Sequence, residues 1–257
     1  MGDGGSNSTS LARGTTPVNR PYKRSELVAR EIIENLLADG LKPGDLLPSE
    51  TQMLDQYQVG RASLREALRL LEAQGLISLK PGPGGGPVVG DVHPAHLGRT
   101  ASLYFRMAGA SFHELIEAVL VLEPWLAELA ALRADKDEAR RRLGAAMEES
   151  DSLRGDVEGI IRTAPGFHRV IHELSGNPVL STMTSAIDAV FTDQILCTLD
   201  LGPHQGQFLE DHHAIAQAII DGDAPLARQL AAEHTERIAR CAREQAGALL
   251  DRRIEWR

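Results

Sequence analysis

Three side chains in one short stretch, Arg61, Ser63 and Arg65, have the types and spacing to grip a nucleic acid. The planar fork of arginine holds guanine O6 and N7, or two phosphate oxygens, in a bidentate grip. All three positions fall in the first turn and a half of an expected helix from Arg61 to Gln74, with Leu64, Leu68 and Leu71 as its apolar stripe and Gly75 ending it. Lys80 and Gly84, at a following Gly/Pro-rich turn, could approach the sugar-phosphate backbone or the minor groove. The plainer alternative is a solvated helix with ordinary surface arginines, and periodicity leaves that choice open. A second group is histidine. His168 and His172 stand one helical turn apart, and with His212 and His234 they could form the site of a metal-dependent helical enzyme. Against an enzyme, the chain has no HExxH, no nucleophile elbow, and no glycine run followed by the Lys-Ser/Thr of a phosphate-binding loop.

The elements that must position the arginines are readable. Ser25 to Ala38 has Val28, Ile32 and Leu36 at four-residue spacing, so a helix is expected there, ended by Gly40. Lys42-Pro43-Gly44 is a turn. Ser49 is the expected N-cap of a second helix that turns Met53 and Leu54 inward, and Gln58-Val59-Gly60 breaks it. Beyond the third helix, residues 76–80 alternate as a strand, and 81–87 form a Gly/Pro turn into Val88-Val89. Helix, helix, turn, helix and hairpin is the order of a winged helix-turn-helix, which sets its third helix in the major groove.

From residue 97 onward the pattern is helical, with expected helices over 97–108, 112–133, 136–152, 156–175, 178–199, 205–221 and 224–249. Ser111 with Glu114 is a capping box, Asn177-Pro178 an N-cap with proline at N1, and Asp223 the cap of the last helix. The fold expected is mainly α: a winged helix-turn-helix followed by an all-helical antiparallel bundle. The expected divisions are a disordered tail over 1–20, the DNA-binding domain over 21–90, a linker over 91–97, the bundle over 98–250 and a tail over 251–257.

Bulk properties narrow the function. The 257 residues carry a net charge of −9, which by itself does not suggest DNA. The acid sits mainly behind residue 90: Lys/Arg against Asp/Glu number 8 to 9 over residues 21–90 and 17 to 26 over 91–257. Phosphate contact is local, so a near-neutral module suffices if its cations share a face. No run approaches the roughly 18–20 apolar residues of a membrane helix. The Gly/Ser/Thr-rich start lacks the apolar stretch of a signal peptide. Two cysteines, Cys197 and Cys241, fit a reducing cytoplasm better than a disulfide framework.

Three segments carry a resemblance: Leu-Lys-Pro-Gly-Asp-Leu-Leu-Pro-Ser-Glu (41–50), Val-Gly-Arg-Ala-Ser-Leu-Arg-Glu-Ala-Leu (59–68) and Leu-Glu-Ala-Gln-Gly-Leu-Ile (71–77). They resemble the GntR family of bacterial regulators. The resemblance implies a homodimer on a short palindromic operator, usually acting as a repressor, with Arg61 and Arg65 aligned to DNA-contacting arginines. Two positions depart from the pattern. Thr51 stands where many members carry arginine, and Gly60 where serine often precedes the recognition helix. The first departure removes one DNA contact and points to a different operator or a weaker grip.

Behind the DNA module, residues 117–124 with Ala130-Ala131, Phe167-His168 followed by Ser175-Gly176-Asn177, and the run from His212 through Gly222-Asp223 to His234 resemble the FCD ligand-binding domain of the FadR subfamily. Many such domains hold a divalent metal and sense a small carboxylate beside it. The resemblance implies His168, His212 and His234 as metal ligands, with Zn or Ni suited to neutral imidazole. The aspartate expected four residues before the first histidine is Ala164, followed by Pro165, and the arginine expected four residues before Glu123 is Val119. A ligand and a carboxylate clamp are thus both absent, and His172 is a candidate replacement ligand. A three-histidine site remains feasible for Zn with water in the fourth position. The effector pocket is expected to involve Val119, Glu123 and Asn177, and its occupant to be a small, more apolar metabolite, with Leu122, Leu180 and Phe191 as further candidate walls. The function expected is a ligand-responsive regulator of double-stranded DNA, cytoplasmic and not membrane-bound, with the metal-dependent enzyme as its competitor.

Overall fold

A computed structural model describes residues 22–82, 85–91 and 93–256. The expected disordered tail and Gly84 at the wing tip lie outside the described residues. The chain divides into two units, Met1–Asp91 and Val92–Arg257, each with its own core.

In the first unit, α1 (Arg24–Ala38), α2 (Glu50–Tyr57) and α3 (Arg61–Ala73) close around one apolar cluster. The four-residue stripe Val28, Ile32 and Leu36 is buried on α1 and meets Met53, Tyr57, Leu64, Leu68 and Leu71. Ser49 caps α2 in a reciprocal box with Gln52. Gln58 ends α2 with φ of 49°, the left-handed geometry that turns the chain sharply toward α3. The wing is β1 (Ile77–Lys80) paired antiparallel to β2 (Gly86–Val89), with Ile77 opposite Val89 and Lys80 opposite Gly86. Residues 44–47 add a third edge that the sequence pattern did not show. Gly44 N donates to Val89 O, Val89 N to Asp45 O, and Leu47 N to Pro87 O.

The second unit is a helical bundle of α4 (Pro94–Ala108), α5 (Phe112–Arg133), α6 (Lys136–Ser152), α7 (Val157–Leu174), α8 (Pro178–Gln194), α9 (Gln205–Asp221) and α10 (Ala224–Leu250). α5 packs along α10 and against α7, α8 and α9, while α4 lies on α8. Two apolar clusters fill the bundle. One gathers Phe112, Ile116, Val119, Phe191, Ile195 and Phe208, and the other Ala127, Leu143, Phe167, Ile171, Ile215 and Ala231. α5, α9 and α10 each contribute to both clusters and carry buried polar residues between the two contributions: Glu123, Asp211 with His212, and His234 with Thr235.

Three expected boundaries shift. The linker expected over 91–97 is already helical from Pro94, because His93 caps that turn through Nδ1 and proline is pre-set for N1. α8 stops at Gln194, not 199, and tight turns at Leu196–Thr198 and Gly202–His204 follow. The tail expected over 251–257 is anchored. Phe112 N donates to Arg252 O, Ile254 N to Ala110 O, and the Gln194 amide bonds the backbone of Glu255 at both ends. Ile254 is 1% exposed within the first cluster, so the C-terminus closes that end of the bundle. Replacing Ile254 with alanine is expected to cost about 2–4 kcal/mol in chemical denaturation of the second unit. A cost under about 0.5 kcal/mol would restore the description of this segment as a tail.

Candidate metal and effector site

α7, α9 and α10 bring His168, His212 and His234 together, each offering a ring nitrogen within 4.8 Å of the others. His212 Nε2 and His234 Nε2 stand 3.2 Å apart, and the His168 ring lies 5.2 Å and 5.5 Å from the two by centroid. Phe167 stacks on His212 at 4.1 Å and fixes its plane. The placement follows from helical spacing. His212 lies one turn beyond Phe208 of the first cluster and one turn before Ala216 of the second, so its side chain points to the boundary between them.

The outer nitrogens are oriented by carboxylates. His168 Nδ1 donates to Glu123 Oε2 at 2.9 Å, and His234 Nδ1 to Asp211 Oδ2 at 3.2 Å. Asp211 also accepts a fork from Arg237 at 2.8 and 2.6 Å and a bond from Gln207 at 3.0 Å. Burial opposes ionisation of Asp211, but the bonds from His234, Arg237 and Gln207 prevail and hold its pKa at about 2. Burial, followed by the neighbouring His234 and His168, pushes the His212 pKa well below its ordinary value. Burial also lowers that of His234. Both rings are therefore neutral and carry lone pairs.

The donor set fits a borderline divalent ion. Two imidazole nitrogens bound to one tetrahedral ion at about 2.0–2.1 Å stand roughly 3.3 Å apart, close to the observed separation. His212 also has an orphan. Its Nδ1 is buried without a partner while its Nε2 faces another imidazole nitrogen. Between neutral rings the Nε2–H of His212 can donate to His234 Nε2, and both Nε2 lone pairs become available to an ion once the His212 proton sits on Nδ1.

His172 does not join this centre. It is fully buried on the far side of Glu123, with Nε2 at 2.6 Å from Glu123 Oε1 and Nδ1 at 2.8 Å from Ser185 Oγ. As a replacement ligand it is corrected: both nitrogens are engaged elsewhere. Burial would lower its pKa, but the adjacent Glu123 carboxylate outweighs this and raises it. Burial would likewise raise the Glu123 carboxyl, yet His172 and His168 hold it well below the usual range. Asp188 goes the other way, pushed well up by burial and by the charge of Glu123.

Above the histidines opens a cavity with walls including Ile116, Val119, Leu120, Ile161, Phe191 and Phe208. Val119 and Ala164, the positions that lack an arginine and an aspartate, both line it, and no lysine or arginine does among the described residues. Leu122 and Leu180 are not part of its wall. Asn177 is corrected too: its side chain caps α8, accepting from Val179 N and Leu180 N, and is thereby committed away from the cavity. Sequence reading missed Asp211, Asp188, Ser185 and Arg237. Asp211 had a weak signal, an acid adjoining His212. Asp188 had another, a charge in the middle of the apolar α8.

In the first unit, Arg61, Thr51, Arg65 and Lys80 are all exposed, and Ser63 is partly so. Arg65 Nε is tied to Glu50 Oε1 at 2.9 Å across α2 and α3. Arg61 makes no hydrogen bond or ion pair with any described residue, and α3 begins at Gly60 without a side-chain cap. A double-mutant cycle of Asp211→Ala and Arg237→Ala in metal-free protein is expected to show a coupling of about 1–3 kcal/mol, since both anchor one network. Additivity within about 0.3 kcal/mol would mean that the fork contributes nothing to folding.

Comparison with known proteins agrees with a DNA-binding module followed by a helical ligand-binding domain. Residues 24–85 match the family described as bacterial regulatory proteins of the gntR family, and residues 114–237 match the FCD domain. The HTH-type transcriptional regulator YieP of Escherichia coli (strain K12) is 30% identical over 215 residues, covering 78% of this chain and 88% of YieP. The HTH-type transcriptional repressor NanR of Klebsiella aerogenes is 27% identical over 249 residues, covering 92% and 93% of the two chains. The fold is shared with a Streptococcus agalactiae GntR structure at a TM-score of 0.65 and 23% identity, over 84% of this chain and 99% of that one. These relatives are regulators, which sets aside the reading of the histidines as an enzyme centre. The chain belongs to the GntR family of bacterial regulatory proteins: a DNA-binding transcriptional regulator with an FCD domain behind its winged helix.

Proposed function

We propose that this regulator is a repressor that binds a palindromic operator as a homodimer and responds to a small, largely apolar metabolite received beside a Zn or Ni ion. The observation that carries the reading is the cavity: apolar walls end on three convergent imidazoles, with no arginine or lysine among the described residues to hold a free carboxylate. His168, His212 and His234 would hold the ion. When bound, it supplies a Lewis-acidic position for an oxygen donor of the effector. Val119 and Ala164 leave hydrocarbon where a sugar acid or hydroxy acid would need polar partners, so apolar bulk is favoured at those positions. Repression is supported by the naming of the NanR relatives as repressors. A regulator of chromosomal DNA works in the cytoplasm, and no helix among the described residues is long and apolar enough to cross a membrane.

For DNA, Arg61 is the foremost base reader, because it is exposed and unpaired at the open N-terminus of α3, where backbone N–H groups also favour phosphate. Arg65 must exchange Glu50 for DNA, and Ser63 and Lys80 supply backbone contacts, with Thr51 a further candidate. Effector binding would change operator affinity by a coupling of about 1–3 kcal/mol.

Two measurements test this reading. Protein purified without chelator or affinity tag is expected to contain close to one equivalent of metal, which His212→Ala loses. Metal-free wild type would leave the histidines as a polar pocket only. In operator titrations, Arg61→Ala is expected to cost about 1–3 kcal/mol and relax sequence preference, while Lys80→Ala lowers the salt slope by about one. Equal losses on specific and random DNA for Arg61→Ala would remove it from base reading.

A further inference from the structure

A second buried polar group adjoins the histidine centre, and its geometry assigns it a task. Glu123, His172 and Asp188 lie within 4.8 Å of one another, all buried, and could on composition alone be a metal site of their own. Their bonding argues against that. Both Glu123 oxygens are used, Oε2 by His168 Nδ1 and Oε1 by His172 Nε2, and the remaining His172 nitrogen is used by Ser185 Oγ. No lone pair of His172 is left for an ion.

We propose that Glu123, locked by His172, is a positioning residue for the metal centre: it sets the ring of His168 so that Nε2 faces the ion. The inference rests on the three-histidine reading above. A chain of bonds runs Ser185, His172, Glu123, His168, from α8 through α7 and α5 and back to α7. His168 and His172, one turn apart on α7, clamp a single carboxylate at both oxygens. Glu123, 3% exposed and fixed at each oxygen, cannot swing inward to become a ligand itself. It can hold the His168 Nδ1–H, which selects the tautomer with Nε2 free and fixes the ring plane. Asp211 does the same for His234, but from a different anchor, the Arg237 fork and Gln207. His212 has no such carboxylate and relies on its stack against Phe167. The two carboxylates also offset the charge of a divalent ion among imidazoles. That lets the centre do without an acidic ligand at Ala164.

The experiment is a zinc titration of full-length protein against a chromophoric chelator, with cobalt(II) absorption spectra of the same variants. Glu123→Gln keeps the shape and removes the charge, and is expected to lower zinc affinity about 10–100-fold. His172→Gln, which cannot touch the ion, is expected to lower it about tenfold through Glu123. In both, the cobalt ligand-field bands of the folded protein shift, and the metal-free melting temperature falls because each variant removes a partner from a buried charge, so affinity is read on the folded fraction. His172→Gln carries the test if Glu123→Gln does not fold. Wild-type affinity and an unchanged cobalt spectrum in either folded variant overturn the positioning role. Affinity that falls only in proportion to the folded fraction overturns it as well. A wild type that takes up no zinc, with His212→Ala indistinguishable from it, instead removes the metal reading on which the inference stands.

Discussion

The second unit is organised around one constraint: ionisable side chains buried across the middle of an apolar bundle must satisfy one another. An isolated buried carboxylate or imidazolium costs several kcal/mol. Glu123 therefore accepts from two imidazoles, Asp211 from an imidazole and a guanidinium fork, and His172 bonds at both nitrogens. The pKa directions follow from that arrangement. Glu123 and Asp211 stay ionised because cationic or N–H partners surround them, and Asp188, beside the Glu123 charge, is driven toward its protonated form. His212 and His234 are kept neutral, which is the state in which imidazole coordinates.

The helices are fitted to this layer. Pro124 directly follows Glu123 in α5, and Pro165 lies one turn before His168 in α7. Each removes a backbone N–H from its helix ladder beside a functional residue, without ending the helix. Flanking packing on both sides, from Leu126 and Ala127 on α5 and Phe167 and Ile171 on α7, holds those helices together across the defect. The cavity above the layer is the space that small or branched residues such as Ala164 and Val119 leave open, so its apolar character and its volume have the same origin.

The first unit follows a different economy. Its core is mostly apolar, with Tyr57 bonded through a hydroxyl that accepts from Asn35 and Ser25 also buried, and its cations are displayed at the surface. Surface arginines there contribute little to folding and are free to be exchanged onto phosphate. Arg65 shows the intermediate case, an exposed pair with Glu50 that a polyanion can replace.

Periodicity and punctuation in the sequence were enough to specify nearly all the elements. Apolar stripes at three- and four-residue spacing gave α1, α3 and the long helices of the bundle, and Ser49, Ser111, Asn177 and Asp223 marked starts that the structure keeps. These features are local, since helix spacing and capping are decided within one turn. The third wing edge at 44–47 and the anchored C-terminus were not legible, because each depends on a partner far away in the chain. The site divides the same way. The meeting of His168, His212 and His234 was implied by family resemblance, and no spacing within one helix could have shown it. The separate fate of His172 was decided by tertiary structure alone. One turn along α7 from His168 its ring falls on the other side of Glu123, and only the positions of α5 and α8 determine which acid and which hydroxyl it meets. Sequence determines which face of a helix a side chain occupies; the neighbour on that face is set by packing, where burial leaves each polar group one arrangement that satisfies it.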